Sequence, residues 1–269
     1  MKEFFFSERG IYYRTNEFHA DRKTLVFVHG LSGSSSAWVE YEKRFEGEYN
    51  ILSFDLRGHG KSMKPKNYED YEIKKFTDDF QELIADLHLE KFILLSHSFG
   101  TLIALDFLLT HQDKLEAAIF LSPTFFVRKR TLARAIEPFL KFVQIFDPLP
   151  FSGKAGGHVD YSKYKNTGDW NIPRMIADIG NTSMRVYLYC TKQSYEFDRE
   201  DALRQIVIPV LMIHGKNDTI FPQKISALMA KKIKNSTFIL LDDTDHIIVL
   251  NNVAEISKAI EGFVKKTVN

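Results

Sequence analysis

Ile93-Leu94-Leu95-Ser96-His97-Ser98-Phe99-Gly100-Thr101-Leu102-Ile103-Ala104-Leu105 is the stretch on which the reading of this chain turns. A short apolar run enters it and a helix-forming run leaves it, with a serine at the tip of the turn between them. That is the layout of a nucleophile elbow, small-x-Ser-x-Gly, which lifts a serine hydroxyl above the end of a sheet. The turn brings strand and helix backbones close together, so the positions two before and two after the serine must be small. Ser96 and Gly100 fill them. Glycine is usual at the first position, and serine there is a mild departure. The competing reading is an ordinary strand-to-helix turn, so the rest of the chain must decide.

The 269 residues, 44% of them hydrophobic, suit one large α/β domain or one domain with an insertion, and a core of this size needs no covalent staple. Cys190 is the single cysteine, so no internal disulfide forms, and no CxxC or paired His/Cys pattern suggests zinc. A formal net charge of +1 gives no reason to expect nucleic acid or an anionic membrane as partner. No apolar run approaches the ~20 residues of a membrane helix. The N-terminal Met1-Lys2-Glu3-Phe4-Phe5-Phe6-Ser7-Glu8 is unlike a secretory leader. A reduced, cytoplasmic setting is the expectation.

Outward from the elbow, short apolar runs alternate with longer amphipathic ones. Residues 24–29, 51–55, 92–97, 117–121, 210–214 and 237–241 read as buried strands, rich in Val, Ile, Leu and Phe. Residues 35–45, 73–87, 99–110, 222–233 and 253–266 have helical spacing; Phe76, Phe80, Leu83, Ile84 and Leu87 share one face. This alternation predicts a mostly parallel central sheet flanked by helices. Residues 3–6 and 11–14 read as a leading antiparallel hairpin with Gly10 at its turn. The rhythm fails over 123–203, which is rich in aromatics, Phe125, Phe142 and Trp170 among them, with Pro and Gly between. It reads as a helical cap inserted after the sixth strand, over a core domain formed by 1–122 and 204–269.

Ligands bind at the carboxyl ends of strands in an open parallel sheet, and every polar signature of this chain falls at such an end. A serine needs a base within hydrogen-bond reach, and the base needs an orienting partner. His246, in Asp242-Asp243-Thr244-Asp245-His246, is the candidate base; Asp218, in His214-Gly215-Lys216-Asn217-Asp218, is the candidate acid. The order Ser…Asp…His is one of the known solutions. Asp245 is the rival acid. His97 adjoins Ser98 and should point away from the serine tip. His29, His59 and His214 sit beside glycines and read as structural, and His19, His88, His111 and His158 have no strand-end context. Backbone N–H groups of Phe99, at the start of a helix, and Leu31, in His29-Gly30-Leu31-Ser32-Gly33, are the candidate oxyanion donors. A phosphate-binding loop competes for that glycine/serine run but lacks GxxxxGK[ST].

With these residues the chain resembles the α/β-hydrolase fold serine hydrolases of the capped esterase and lipase-like group. The resemblance rests on His29-Gly30 with Ser34-Ser35, Asp55-Leu56-Arg57-Gly58-His59-Gly60-Lys61-Ser62, the Ser98 elbow, His214–Asp218 and Asp245-His246. It implies a Ser98–His246–Asp218 triad, an oxyanion hole at Leu31 and Phe99, and neither cofactor nor metal. The 55–62 run is expected to tie loops together through Asp55 and Arg57. The departures are Ser96 for Gly and Asp245 where Gly often precedes the histidine.

The first functional expectation is a carboxylesterase that acts through an acyl-enzyme on small-molecule esters of apolar acyl or aryl groups, as monomer or homodimer. A carbon–carbon bond hydrolase of the meta-cleavage product type, a lactonase and a thioesterase share the same machinery. A small-molecule receptor on the same fold is the non-enzymatic alternative.

Overall fold

The computed structural model describes residues 1–125 and 153–268. Its eight strands are β1 (Lys2–Phe6), β2 (Ile11–Thr15), β3 (Thr24–Val28), β4 (Asn50–Phe54), β5 (Phe92–His97), β6 (Leu115–Leu121), β7 (Val210–Gly215) and β8 (Ser236–Leu241). They form one sheet in the order β1-β2-β4-β3-β5-β6-β7-β8. The β1–β2 hairpin is antiparallel and joins β4 antiparallel; every pairing from β4 to β8 is parallel. The expected alternation, hairpin and sheet are therefore present, with strand limits moved by one or two residues.

Strand residues alternate between two cores because both faces of a parallel sheet are covered. Val26, Val28, Leu94 and Met212 face one core with Phe76, Phe80 and Leu83 of α2 (Ile73–Asp86), α3 (Gly100–Thr110) and Met229 of α6 (Gln223–Lys232). Leu25, Phe27, Leu95 and Ile213 face the other with Trp38, Tyr41 and Phe45 around α1 (Val39–Phe45) and Ile256, Ile260 and Phe263 of the C-terminal helix, Val253–Thr267. The expected single helix over 35–45 is two pieces, a 3-10 turn at Ser35–Trp38 and then α1. The Ser35 N–H is drawn instead to the Asp55 Oδ1, at 2.7 Å.

The described part of the insertion carries a 3-10 turn at Tyr161–Tyr164, α4 (Ile172–Thr182) and α5 (Met184–Glu196). Asn171 caps α4 by accepting the Arg174 N–H, and proline follows within the first turn. α5 buries Val186, Tyr189 and Cys190 against the first core, so the lone thiol is internal. Phe125 is fully buried in that core and Trp170 is 62% exposed, while Phe142 lies outside the described residues.

Two loop ties expected from the 55–62 run are present. Asp55 accepts from the Ser35 and Lys61 N–H groups and from His158 Nε2, at 2.8 Å. Burial pushes its carboxyl up, but the His158 hydrogen bond and nearby positive charge outweigh that and hold it at about 2. His158, given no role by its sequence context, thus fastens the insertion to the core. Arg57 is the second tie. Its Nε and Nη2 donate to the two Asp79 oxygens at 2.6 Å each, and Nη1 donates to the Asp70 carbonyl at 2.9 Å. Both side chains of this bidentate pair are about 4% exposed or less. Arg57→Ala leaves a buried carboxylate without its partner and is expected to cost about 3–5 kcal/mol, read as a lower urea midpoint with unchanged slope.

Candidate active site

Ser98 ends the turn between β5 and α3 with φ at +51°, the left-handed region that a non-glycine residue adopts only under constraint. The constraint is close packing. A Cβ at Gly100 would lie 2.5 Å from the His29 carbonyl and 2.8 Å from that of Val28, so only glycine lets α3 start against β3. The 30–33 loop packs onto the serine from the other side: a Cβ at Gly30 would lie 3.3 Å from Ser98 Cβ.

The acid and the histidine come from the loops after β7 and β8. Gly215 has no room for a side chain because the Thr244 and Asp245 carbonyls lie against it. Backbone bonds from Asn217 N–H to the Thr244 carbonyl, 2.8 Å, and from Lys216 N–H to the Leu241 carbonyl, 2.9 Å, hold the two loops side by side. Asp218, His246 and Ser98 meet there. His246 Nδ1 is 2.7 Å from Asp218 Oδ2, and His246 Nε2 is 2.7 Å from Ser98 Oγ.

Asp218 is buried and surrounded by donors. Oδ1 accepts from the Ile220 and Phe221 N–H groups at 2.8 and 2.7 Å. Oδ2 accepts from His246 and lies 3.2 Å from His214 Nε2. Burial disfavours its charge, but His246 and His214 together outweigh that and hold the carboxyl far below the ordinary carboxylate range. An ionised Asp218 fixes the tautomer: Nδ1 of His246 carries hydrogen and donates, and Nε2 accepts from the Ser98 hydroxyl. The arrangement can therefore withdraw a proton from Ser98 as its oxygen attacks an electrophilic carbon.

The rival acid stands elsewhere. Asp245 Oδ1 accepts the Ile247 N–H at 3.0 Å, and burial followed by the nearby Asp169 charge raises its carboxyl above the ordinary value. His97 does line the space beside Ser98. Its Nε2–H donates to the His246 carbonyl at 2.9 Å, so it supports the histidine loop. Burial, then the nearby His246 charge, depresses it to about 3. His29 and His59 are likewise buried and depressed, the latter to about 3, and each hydrogen-bonds backbone. His214 is more than a turn histidine, because it is a second imidazole on Asp218; its Nδ1 is 2.8 Å from Ser226 Oγ.

The space beside Ser98 is a cavity of about 80 Å³ among the described residues. Leu31, Ala37, Ile247, Val249 and Leu250 make an apolar wall, and Tyr161, Arg174 and Asp178 of the insertion make a polar one. Tyr161 Oη donates to Asp178 Oδ1 at 2.8 Å, and Arg174 Nη1 to Asp178 Oδ2 at 3.1 Å. Burial lifts the Asp178 carboxyl to about 6 in spite of both. Of the aromatics expected over the site, neither Phe125 nor Trp170 is among these walls.

One residue of the site had no signal in the sequence. Asp169, 7% exposed, accepts the His246 backbone N–H on Oδ1 at 2.7 Å. Its Oδ2 accepts the N–H and hydroxyl of Thr219 at 2.9 and 2.6 Å. An aspartate in an aperiodic insertion, 50 residues before one partner and 77 before the other, follows no motif. Only the Asp-Trp pair before the Asn171 cap singles it out locally.

A family model described as the alpha/beta hydrolase fold matches residues 23–253. The putative carbamate hydrolase RutD of Pseudomonas syringae pv. syringae (strain B728a) is 24% identical over 270 residues, covering 91% of this chain and 95% of that protein. The 3-oxoadipate enol-lactonase 2 of Acinetobacter baylyi (strain ATCC 33305 / BD413 / ADP1) is 24% identical, covering 92% and 90%. A solved α/β hydrolase from a Medee basin deep-sea metagenome library superposes with a TM-score of 0.77 at 17% identity, covering 98% of this chain and 97% of that one. No helix among the described residues is long and apolar enough to cross a membrane.

A fluorophosphonate probe should attach to Ser98 and leave Ser96 and Ser122 unlabelled, as read by peptide mass spectrometry after digestion. Label on either of those two would show that the reactive hydroxyl has been misplaced.

Proposed function

Because this chain belongs to the α/β-hydrolase fold family, we propose that it is a serine hydrolase that cleaves carboxylic esters through an acyl-enzyme. The observation that carries the reading is the continuous hydrogen-bond path from Ser98 Oγ through His246 to Asp218, 2.7 Å at each step. Hydrolytic chemistry accords with the family and with the names of its relatives.

In this reading Ser98 Oγ attacks the ester carbonyl and His246 Nε2 takes its proton. The carbonyl oxygen becomes an oxyanion, and the N–H groups of Leu31 and Phe99 receive it. Leu31 lines the space at Ser98, and Phe99 is the N-terminal cap of α3, where helix N–H groups point outward. Collapse of the intermediate expels the alcohol, which takes the proton from His246 and leaves the acyl group on Ser98. Water repeats the sequence: His246 removes its proton, the acid departs, and Ser98 regains hydrogen. Asp218 stays ionised and holds the imidazole throughout. The reading needs no metal or cofactor.

Residues 1–122 and 204–269 are the core domain in this proposal, and 123–203 is the cap. All eight strands lie in the former, and α4 and α5 lie in the latter. The apolar wall at Leu31, Val249 and Leu250 suits an apolar acyl or aryl group. A lactone, as an internal ester, is the second reading, favoured by the near full-length match to an enol-lactonase.

Purified protein assayed on p-nitrophenyl esters of increasing acyl length, lactones and thioesters tests the substrate class. Ester turnover that rises over the first carbons is the expected result, at ~0.8 kcal/mol per buried CH₂. Turnover of lactones alone moves the assignment to the second reading, and ligand binding without turnover moves it to a receptor. Ser98→Ala should abolish turnover with the fold intact. Asp218→Asn should lower kcat by about 10⁴-fold because it favours the wrong histidine tautomer; a near wild-type Asp218→Asn beside a dead Asp245→Asn would reverse the choice of acid. Acidification should lower kcat/KM, with Asp178, whose carboxyl is lifted to about 6, taking up a proton in the same range, while Asp218, held ionised far below it, contributes none.

A further inference from the structure

We infer that Asp169 is a positioning residue of the catalytic machinery: its carboxylate, supplied by the insertion, clamps the acid loop and the histidine loop in the register at which Ser98, His246 and Asp218 align. This rests on the catalytic reading given above.

The two loops are independent excursions from neighbouring strands. Backbone bonds fasten their bases, from Lys216 to Leu241 and from Asn217 to Thr244. Their functional tips, at 218–219 and 246, lie beyond those bonds. Asp169 closes the open end. One oxygen takes the N–H of His246 itself, at 2.7 Å, and the other takes both donors of Thr219, the residue that follows Asp218. Three donors on one carboxylate, two from Thr219 and one from His246 on either side of the proposed His–Asp contact, fix the separation of the two backbones. Charge-assisted bonds of this length are among the stronger hydrogen bonds in a protein.

The clamp is itself held. Arg174 Nη2 donates to the Asp169 carbonyl at 2.7 Å, and Arg174 is fixed by Asp178 through an ion pair within α4. Trp170 Nε1 donates to Thr219 Oγ1 at 2.9 Å, which leaves the threonine hydroxyl hydrogen for Asp169. The insertion therefore does more than wall the cavity. A carboxylate suits this place because the three groups hydrogen-bonded to its oxygens are all donors. Asparagine keeps the shape but must turn its NH₂ toward His246 or Thr219, placing donor against donor. Glutamate adds a methylene to a site with 7% exposure.

The test uses the full chain. Asp169→Asn should lower kcat on a p-nitrophenyl ester roughly 10- to 100-fold, the scale of a sub-ångström to 1 Å misplacement of catalytic groups, with KM unchanged. The downfield proton resonance of His246 Nδ1–H should broaden or vanish in the same variant. Thr219→Val, which removes one donor and keeps the backbone N–H, should give a smaller loss, and Thr219→Ser should restore it. Wild-type kcat in Asp169→Asn with an unchanged downfield resonance overturns the clamp. So does Thr219→Ser no better than Thr219→Val where Asp169→Asn does not fold. A Ser98→Ala protein that keeps full activity overturns the catalytic reading instead, and the proton resonance still reports on the clamp.

Discussion

A carboxylate taken out of water must find donors for its lone pairs, and in this protein that requirement shapes the carboxyl end of the sheet. Asp218 has no exposed side-chain surface. Two backbone N–H groups of its own loop and two imidazoles from elsewhere surround it. Its charge survives burial only because those four groups converge. Their convergence in turn demands that the loops after β7 and β8 run in contact, which is why Gly215 has no side chain. The tautomer of His246, and so the direction in which the Ser98 proton can move, follows from the same buried charge.

Around this centre three other histidines are held below the ordinary imidazole range. His29, His59 and His97 are buried, and burial is the largest cause of their depressed values. Each ring hydrogen-bonds backbone, His29 through both nitrogens, His59 through Nδ1 and His97 through Nε2, so each acts as a shaped hydrogen-bonding spacer. His97 is the instructive case. Its position beside Ser98 could have made it a competitor for the serine, yet it reaches the carbonyl of His246 and steadies that loop. His158 behaves differently, joining the insertion to Asp55 under the first loops.

The insertion meets the core at two kinds of contact. One is apolar, through Val186, Tyr189 and Cys190. The other is a chain of charge and hydrogen bonds from Asp178 through Arg174 to Asp169 and on to Thr219 and His246. Each hydrogen bond in a buried chain of this kind narrows the arrangements open to its neighbours. The polar wall of the cavity and the support of the loops that carry Asp218 and His246 thus belong to one network.

What could be read from sequence was what repeats or is local. Periodicity placed the strands and helices to within a residue or two, because sheet and helix bury side chains at fixed spacings. The elbow, the Asp218 loop and the His246 loop were legible because each sits at a strand end, where a parallel sheet gathers its ligands, and Gly100 marked close backbone approach. A residue next to a histidine seldom reaches its ring, which favours Asp218 over Asp245. The 123–203 stretch marked itself as an insertion by its lack of period but carried no further detail. Asp169, the turn of His97 toward the His246 loop and the His158–Asp55 bond were decided by tertiary structure alone. Each joins side chains to partners whose sequence separation has no fixed period. A hydrogen bond acts over about 3 Å of space, and only the packed sheet with its insertion determines which residues come within that reach.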